Sequence, residues 1–343
     1  MATHLVTGGA GFLGSHTVRA LHARGERVRV FDIIAAPELP PGVEFVQADI
    51  RDRRAVLAAT DGIEIVHHHA AMVPLTKAGA GFREVNVDGT QHALDAARAA
   101  GAKLFIHVST SAVYGVPERC PITEETPLCP FETYGHAKLE GERRVEQAAR
   151  EGLPCAIVRP RTLIGLERLG IFQILFEWIK EGRRIYVIGD GNERFQLLHV
   201  EDAVDLLLRL AEQRKTGVYN IGAERFGTLR EDLTALIRHA GTTARVAGIP
   251  AGLAMPTLGL LDKLRLSPLA PWHYRTYHKA FFFDLQRPMR ELGWRPKYGN
   301  VEALVQAYDW FTAHRDEPVG ADGRSTHRKS VRQGVLRLLK GLS

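Results

Sequence analysis

The stretch HLVTGGAGFLGSH, residues 4–16, decides how this chain is read. It begins as an apolar, strand-like run and ends in the amphipathic segment GSHTVRALHARG, with Gly8, Gly11 and Gly14 spaced three apart between them. Glycines at a strand-to-helix junction have a physical use. The first permits a tight turn, the second lets backbone approach a pyrophosphate, and the third lets the helix pack close to the strand. The helix N-terminus adds amide donors and a partial positive charge. A plain glycine-rich turn would look the same. The next strand-like run, RVRVFD, ends in Asp32, eighteen residues beyond Gly14. A carboxylate there can accept from both hydroxyls of an adenosine ribose. It would also repel a 2′-phosphate, and no arginine follows it in DIIAAP. The expected cofactor is therefore NAD rather than NADP; the plainer alternative for Asp32 is a strand-end residue capping a turn.

Strand-like and helix-like segments alternate through the first half. VEFVQAD, IEIVHHHAA, KLFIHVST and PCAIVRP read as strands, and RDRRAVLAAT, VNVDGTQHALDAARAAG and YGHAKLEGERRVEQAAREG as helices. This alternation predicts an α/β fold of the Rossmann type, a doubly wound parallel sheet with helices on both faces. A chain of 343 residues has room for about two domains at ~150 residues each. The expected division is an NAD-binding domain over 1–165, to which about 195–225 return, a smaller substrate-binding domain mainly over 166–314, and a basic linker and tail over 315–343. In the second half IFQILFEWIKEG, TLREDLTALIRHAG (with Thr228 as N-cap) and VEALVQAYDWFTAH read as helices and VYNIG as a strand. The apolar stretch 251–270 is broken by prolines. This half is expected to close a cleft over the carboxyl ends of the strands, where open α/β sheets bind ligands.

Apolar residues make up 45% and charged residues 24% of the chain, the balance of ordinary globular proteins. No uncharged apolar run reaches the ~18 residues of a membrane span, and THLVTGG at the N-terminus lacks the pattern of a signal peptide, so a cytoplasmic protein is expected. The three cysteines, Cys120, Cys129 and Cys155, fit no zinc spacing and read as reduced thiols. The net charge of +6 comes from Arg324, Arg328, Lys329, Arg332, Arg337 and Lys340, which leaves 39 bases against 39 acids elsewhere. A basic tail on a neutral body does not suggest nucleic-acid binding.

Tyr134 and Lys138 in YGHAK are four apart, which on a helix puts both on one face. A phenol titrates near 10 when unperturbed. A neighbouring ammonium stabilises the phenolate and lowers that value, so Tyr134 is expected to exchange a proton with an alcohol near neutral pH. A solvated helix face would show the same spacing. The pair lies twenty-four residues after STSAVYG, a strand end bearing hydroxyls.

Together TGGAGFLG, ADIRD, HHHAA, NVDGT, STSAVYG, YGHAK, LLHVEDAV, YNIG and ELGWRPKY, in order from residue 7 to about 298, resemble the extended short-chain dehydrogenases/reductases of the NAD-dependent epimerase/dehydratase family, notably sugar-nucleotide 4-epimerases. The resemblance implies that Gly8, Gly11 and Gly14, with Phe12 and Leu13 beside them, hold the pyrophosphate of NAD. Asp32 would take the ribose, Asp49 and Ile50 the adenine, and Ala70 and Ala71 would line the cofactor. Thr110 would bond the substrate oxygen, Tyr134 would be the acid/base, and Lys138 would hold Tyr134 and the nicotinamide ribose. It also implies a homodimer through helices at 84–100 and 134–150.

Departures from the family pattern shape the expected reaction. Ser111 and Ala112 stand where 4,6-dehydratases carry an Asp-Glu pair, and elimination of water needs that extra acid and base. A 4-epimerase needs neither, because its keto intermediate can turn and take the hydride back on the other face. The expected activity is NAD-dependent epimerisation of a nucleotide sugar at C4. Thr162 replaces a frequent Asn, LERLGIF replaces the usual diphosphate-gripping loop, and Arg194 stands one place early. Ser111, Arg161, Thr162, Arg168 and Arg194 are the candidate substrate-binding residues; the arginines could equally be structural. These departures and the apolar stretch 251–270 keep a second reading open, a dehydrogenase or reductase of a hydroxylated apolar substrate such as a sterol or isoprenoid-linked alcohol.

HHH at 67–69 is expected to be structural, with no metal, because adjacent strand residues face opposite sides. Asp202 reads as an N-cap. In the tail, Val331, Val335, Leu338, Leu339 and Leu342 form one helical stripe flanked by Arg332, Arg337 and Lys340. A segment of this kind can lie on an anionic membrane surface, so 331–342 is a candidate peripheral contact with the inner face of the membrane.

Overall fold

The computed structural model describes residues 2–35, 39–76, 79–263 and 271–315; the basic tail with its membrane-contact stripe lies outside them. The strands are β1 (Thr3–Thr7), β2 (Arg27–Asp32), β3 (Glu44–Gln47), β4 (Ile65–His68), β5 (Leu104–Val108), β6 (Cys155–Pro160), β7 (Thr162–Ile164), β8 (Arg184–Ile188), β9 (Leu197–His199), β10 (Gly217–Ile221) and β11 (Arg245–Ile249). Seven of them form one sheet, all parallel, in the order β10-β6-β5-β4-β1-β2-β3. Strand order therefore reverses between β1 and β4, and this opens a crevice at their carboxyl ends. β8 pairs with β11 and β7 with β9 in two small parallel sheets.

Helices cover both faces of the large sheet. The helices of the described residues are α1 (Phe12–Ala23), α2 (Arg53–Thr60), α3 (Gly81–Arg83), α4 (Gly89–Ala99), α5 (Thr133–Arg150), α6 (Ile171–Lys180), α7 (Val200–Gln213), α8 (Leu229–Ala240), α9 (Ala251–Lys263), α10 (Pro271–Thr276), α11 (Gln286–Leu292) and α12 (Asn300–Ala313). Strand alternation sorts the side chains. Val6 packs with Val18 and Leu21 of α1 and Val204 and Leu208 of α7. Leu5 points the other way, to Val56 of α2, Leu94 of α4 and Val145 of α5. A π-helical stretch, Glu84–Asp88, joins α3 to α4. There Asn86 turns inward to bond both backbone groups of Met72, at 2.8 and 3.0 Å.

Among the described residues, the second half shares its core with the central sheet. Phe176, Trp178, Leu236, Trp294, Leu304 and Phe311 pack in one cluster with Leu104, Ile106 and Val158 of the central strands. β10 extends the sheet beside β6, and α7 lies on α1, so this later segment rejoins the first layer. Thr228 caps α8 in a full capping box with Glu231. At α7 the cap is not Asp202. His199 accepts from the Glu201 amide, and Asp202, one turn inside, takes the amides of Lys297 and Tyr298 at 2.8 and 3.1 Å.

One buried ion pair ties helix to sheet. Arg159 of β6 donates to both oxygens of Glu142 on α5, the shortest contact being 2.7 Å, and its Nη1 donates to the Tyr114 hydroxyl at 2.7 Å. Their side chains are 3% and 0% exposed. Glu142→Ala leaves a buried guanidinium without its counter-charge and is expected to cost about 3–5 kcal/mol of stability. Urea unfolding checks this; a loss below about 1 kcal/mol would mean the pair behaves as an exposed one.

Candidate active site

Residues from both halves line a cleft of about 380 Å³ over the carboxyl ends of the strands. Gly8, Gly11, Phe12, Leu13 and Gly14 form one side of it. The glycines are sterically required. Gly8 has φ +68°, and a Cβ there would stand 2.7 Å from the Ala70 nitrogen; on Gly14 it would stand 2.1 Å from the Gly8 carbonyl oxygen. The loop is thus folded tightly against the end of β4, and no acid lies in the first turn of α1 to oppose an anion.

Asp32 caps the turn and is also placed at the cleft. Its Oδ2 accepts from the Ala10 amide at 2.9 Å and its Oδ1 from the Ile34 amide at 3.0 Å, so it braces the glycine loop. It also faces the cleft, and each oxygen keeps a lone pair for a ribose hydroxyl. Burial pushes its pKa up against those amide bonds. Asp49 and Ile50 line the same end, as do Ala70 and Ala71 across the crevice. Arg51 also lines it and carries no sequence signal, being a loop arginine like many others. It is engaged by Asp49 at 2.6 Å and Glu84 at 2.8 Å, which holds the Asp49 carboxyl below the usual range. A 2′-phosphate would find Asp32 and an arginine already neutralised.

At the other end α5 presents Tyr134 and Lys138 one turn apart, beside Thr110. The Thr110 oxygen accepts from the Ala112 amide at 3.2 Å. Its own hydrogen is left for the Tyr134 hydroxyl, to which it is bonded. The expected acidic phenol is not what this arrangement holds. Burial pushes Tyr134 up to about 12, with the Thr110 bond opposing. Lys138 donates to the Val108 carbonyl at 2.7 Å, and burial draws it down to about 8, with Glu142 opposing. Desolvation outweighs the lysine because the ammonium is turned onto a backbone carbonyl.

Ser111, Arg161, Thr162 and Arg168 join this end of the cleft. Arg161, 1% exposed, donates to Ser111 Oγ and the Gln196 carbonyl, both at 3.1 Å. Its guanidinium lies 3.9 Å from the centre of the Phe281 ring. Arg168 donates to the Leu163 carbonyl at 3.1 Å and sits over Phe12. Burial lowers the two to about 9 and about 10. Arg194 is placed elsewhere: exposed, over the rings of Phe226 and Phe282, and away from the cleft wall. Tyr277 and Trp272 complete the wall. Trp272 lies on the short α10 and Tyr277 just beyond it, where no periodicity in the sequence marks them, and Tyr277 hydrogen-bonds Thr162.

Two of the three histidines, His67 and His68, are structural in their contacts. His68 is held between Thr7 at 2.9 Å and Thr90 at 3.1 Å, and His67 bonds His4 at 3.1 Å. His69 faces the cleft. Burial holds His68 and His69 down to about 3, so both are neutral.

Residues 4–222 match the model of the NAD dependent epimerase/dehydratase family. The chain belongs to this family. NAD is its cofactor, and the tight glycine cradle, the acid-free helix N-terminus and the placement of Asp32 fit that group. Among its relatives, the uncharacterised protein y4nG of Sinorhizobium fredii is 42% identical over 338 residues, 98% of this chain and 85% of that one. A UDP-glucose 4-epimerase of Mycolicibacterium smegmatis is 29% identical, covering 90% and 97%. The solved UDP-glucose 4-epimerase of Thermotoga maritima, crystallised with UDP-glucose, superposes with a TM-score of 0.76 at 26% identity, covering 92% of this chain and 100% of that one.

The buried ammonium makes stability depend on pH. Folded Lys138 releases its proton near 8, whereas an unfolded lysine does so near 10.5. Between these values the unfolded chain holds more protons, so stability rises with pH. Wild-type protein should gain on Lys138→Met as pH rises from 8 towards 10.5. Denaturant titrations across that window test this; a pH-independent difference would refute it.

Proposed function

We propose that this protein epimerises a nucleotide sugar at C4 through a transient 4-keto sugar. The carrying observation is where the cleft places charge. Its wall holds two carboxylates, Asp32 and Asp49, both at the adenosine end, whereas the reacting end holds Tyr134, Lys138, Arg161 and Arg168. Elimination of water would need a further acid and base there. Ser111 is instead engaged by Arg161, and Ala112 has no proton to give. Epimerisation needs only Tyr134 to take and return the carbinol proton, and two guanidiniums taken out of water suit an anionic diphosphate.

In this reading Thr110 bonds the carbinol oxygen and aligns it with the Tyr134 oxygen. NAD, when bound, supplies the hydride acceptor. Tyr134 lies in carbon-rich surroundings, where a nearby positive charge acts strongly. Moving the Lys138 ammonium off the Val108 carbonyl towards the phenol would lower the phenol from about 12. Lys138 thus both charges the site and holds the nicotinamide ribose. A second reading, net oxidation of a hydroxylated apolar substrate, is favoured by one feature: an almost wholly apolar chamber adjoins the cleft.

No helix among the described residues is long and apolar enough to cross a membrane. The proposed setting is the cytoplasm, with the protein working as a homodimer.

Tyr134→Phe should lower turnover about 10²–10⁴-fold while NAD affinity stays within a few-fold. The assay follows UDP-glucose and UDP-galactose interconversion together with NADH absorbance. Interconversion without net NADH supports the proposal. Stoichiometric NADH from an alcohol, or a Tyr134→Phe enzyme of near-normal rate, would sink it.

A further inference from the structure

Two hydrogen-bond donors beside Thr110 lack an acceptor. Arg161 stands between β6 and β7, and its Nη1 donates to Ser111 Oγ and its Nε to the Gln196 carbonyl. Its Nη2 is buried with no hydrogen-bond partner. Ser111 accepts the Nη1 bond, which leaves its own hydrogen without an acceptor among the described residues. Both side chains line the cleft and both are buried. Ser111 is the chain neighbour of Thr110, which is bonded to the Tyr134 hydroxyl.

The Arg161 guanidinium also lacks a counter-charge among the described residues. The rings of Phe281, Phe195 and Phe283 surround it at 3.9, 4.8 and 5.8 Å. Their faces offset part of the cost of burying a cation but carry no net charge. The titratable groups that act on it are the Tyr277 hydroxyl and the Cys120 thiol, and burial raises both, so both are neutral. Arg159, two residues earlier, shows the contrast: it is equally buried and is paired with Glu142 at 2.7 Å. A buried arginine that serves the fold has its carboxylate in the fold. Arg161 faces the cleft without one, and an unpaired buried charge is costly.

Position limits what the partner can be. With the C4 carbinol held by Thr110 and Tyr134, the diphosphate hangs from C1, at the opposite corner of the sugar ring. A group that meets Ser111 and Arg161 is on a carbon next to the carbinol. C3 carries a hydroxyl, and C5 carries the C6 group. A hydroxyl or hydroxymethyl brings a hydrogen that needs an acceptor of its own, and no charge. A carboxylate only accepts, through two oxygens, and its plane suits a guanidinium. We infer that the substrate is a nucleotide-linked uronic acid, its C6 carboxylate bound by Arg161 and Ser111. This rests on the epimerisation proposed above and names its substrate class. Arg168, over Phe12 at the glycine loop, keeps the diphosphate, and Arg161 takes the second anionic group. Arg161 and Ser111 then select the substrate without touching the bonds that react.

The test is calorimetric titration of NAD-loaded protein with UDP-glucuronate, UDP-glucose and UDP. Wild-type protein is expected to bind UDP-glucuronate about tenfold or more tightly than UDP-glucose, the scale of one hydrogen bond to a charged group. Ser111→Ala should shrink that ratio, and Arg161→Gln should bring it below about threefold. Equal wild-type affinities for the two sugars, or no measurable binding of UDP-glucuronate, would overturn the inference. So would an Arg161→Gln protein that loses as much affinity for UDP as for UDP-glucuronate, since the guanidinium would then belong to the diphosphate. The wild-type ratio decides even if Arg161→Gln does not fold. Binding is read without turnover, which separates the two proposals. Equal binding with C4 epimerisation of both sugars removes the uronic acid and leaves the epimerase. Preferential binding of UDP-glucuronate without epimerisation removes the epimerase and leaves the carboxylate site.

Discussion

The reacting end of the cleft is organised around cations taken out of water. Arg161 rests on phenyl rings and Lys138 is bonded to a backbone carbonyl, and burial lowers both pKa values. Charges in such surroundings are costly unless something pairs with them. The sheet and its helices hold them in place: β5 supplies the Val108 carbonyl, α5 supplies Lys138, and the segment after β6 supplies Arg161. The buried Arg159–Glu142 pair fastens α5 to β6 and so fixes the distance between these groups.

The same burial bears on the tyrosine. A phenol at about 12 is a poor base at neutral pH. In low dielectric, however, its pKa responds strongly to a charge placed nearby. Thr110 already donates to the phenol oxygen and opposes the effect of burial. Lys138 stands one helical turn away, with its charge tethered to Val108. The chemistry of the site therefore depends on where one ammonium points, more than on the identity of the pair.

The alternating runs made the central sheet legible, because a strand buried on both faces needs continuous apolar residues and each crossover helix needs an apolar stripe. The glycine loop was legible because side chains at Gly8 and Gly14 would overlap backbone. Thr110, Tyr134 and Lys138 converge as the family resemblance implied. The phenol's acidity was not legible: spacing places Lys138 near Tyr134 but does not say which acceptor its ammonium takes. Arg194 was misplaced for a related reason, since its position between β8 and β9 does not reveal that Phe226 and Phe282 hold the side chain outside. Asp202 looked like a cap because of its place before an apolar run, yet His199 performs that task.

By itself the sequence determined the class of fold, the glycine cradle and the placing of Tyr134 and Lys138 on one helix face, because each rests on local geometry: periodicity, turns and helical spacing. Tertiary structure alone decided what lies around them. Tyr277 and Trp272, far along the chain, close the cleft. Arg161 and Arg168 are set at its border with an apolar chamber built from α6, β8 and α8. Such a border has no signature in one dimension. It arises only when segments distant in sequence pack together and exclude water from the space between them.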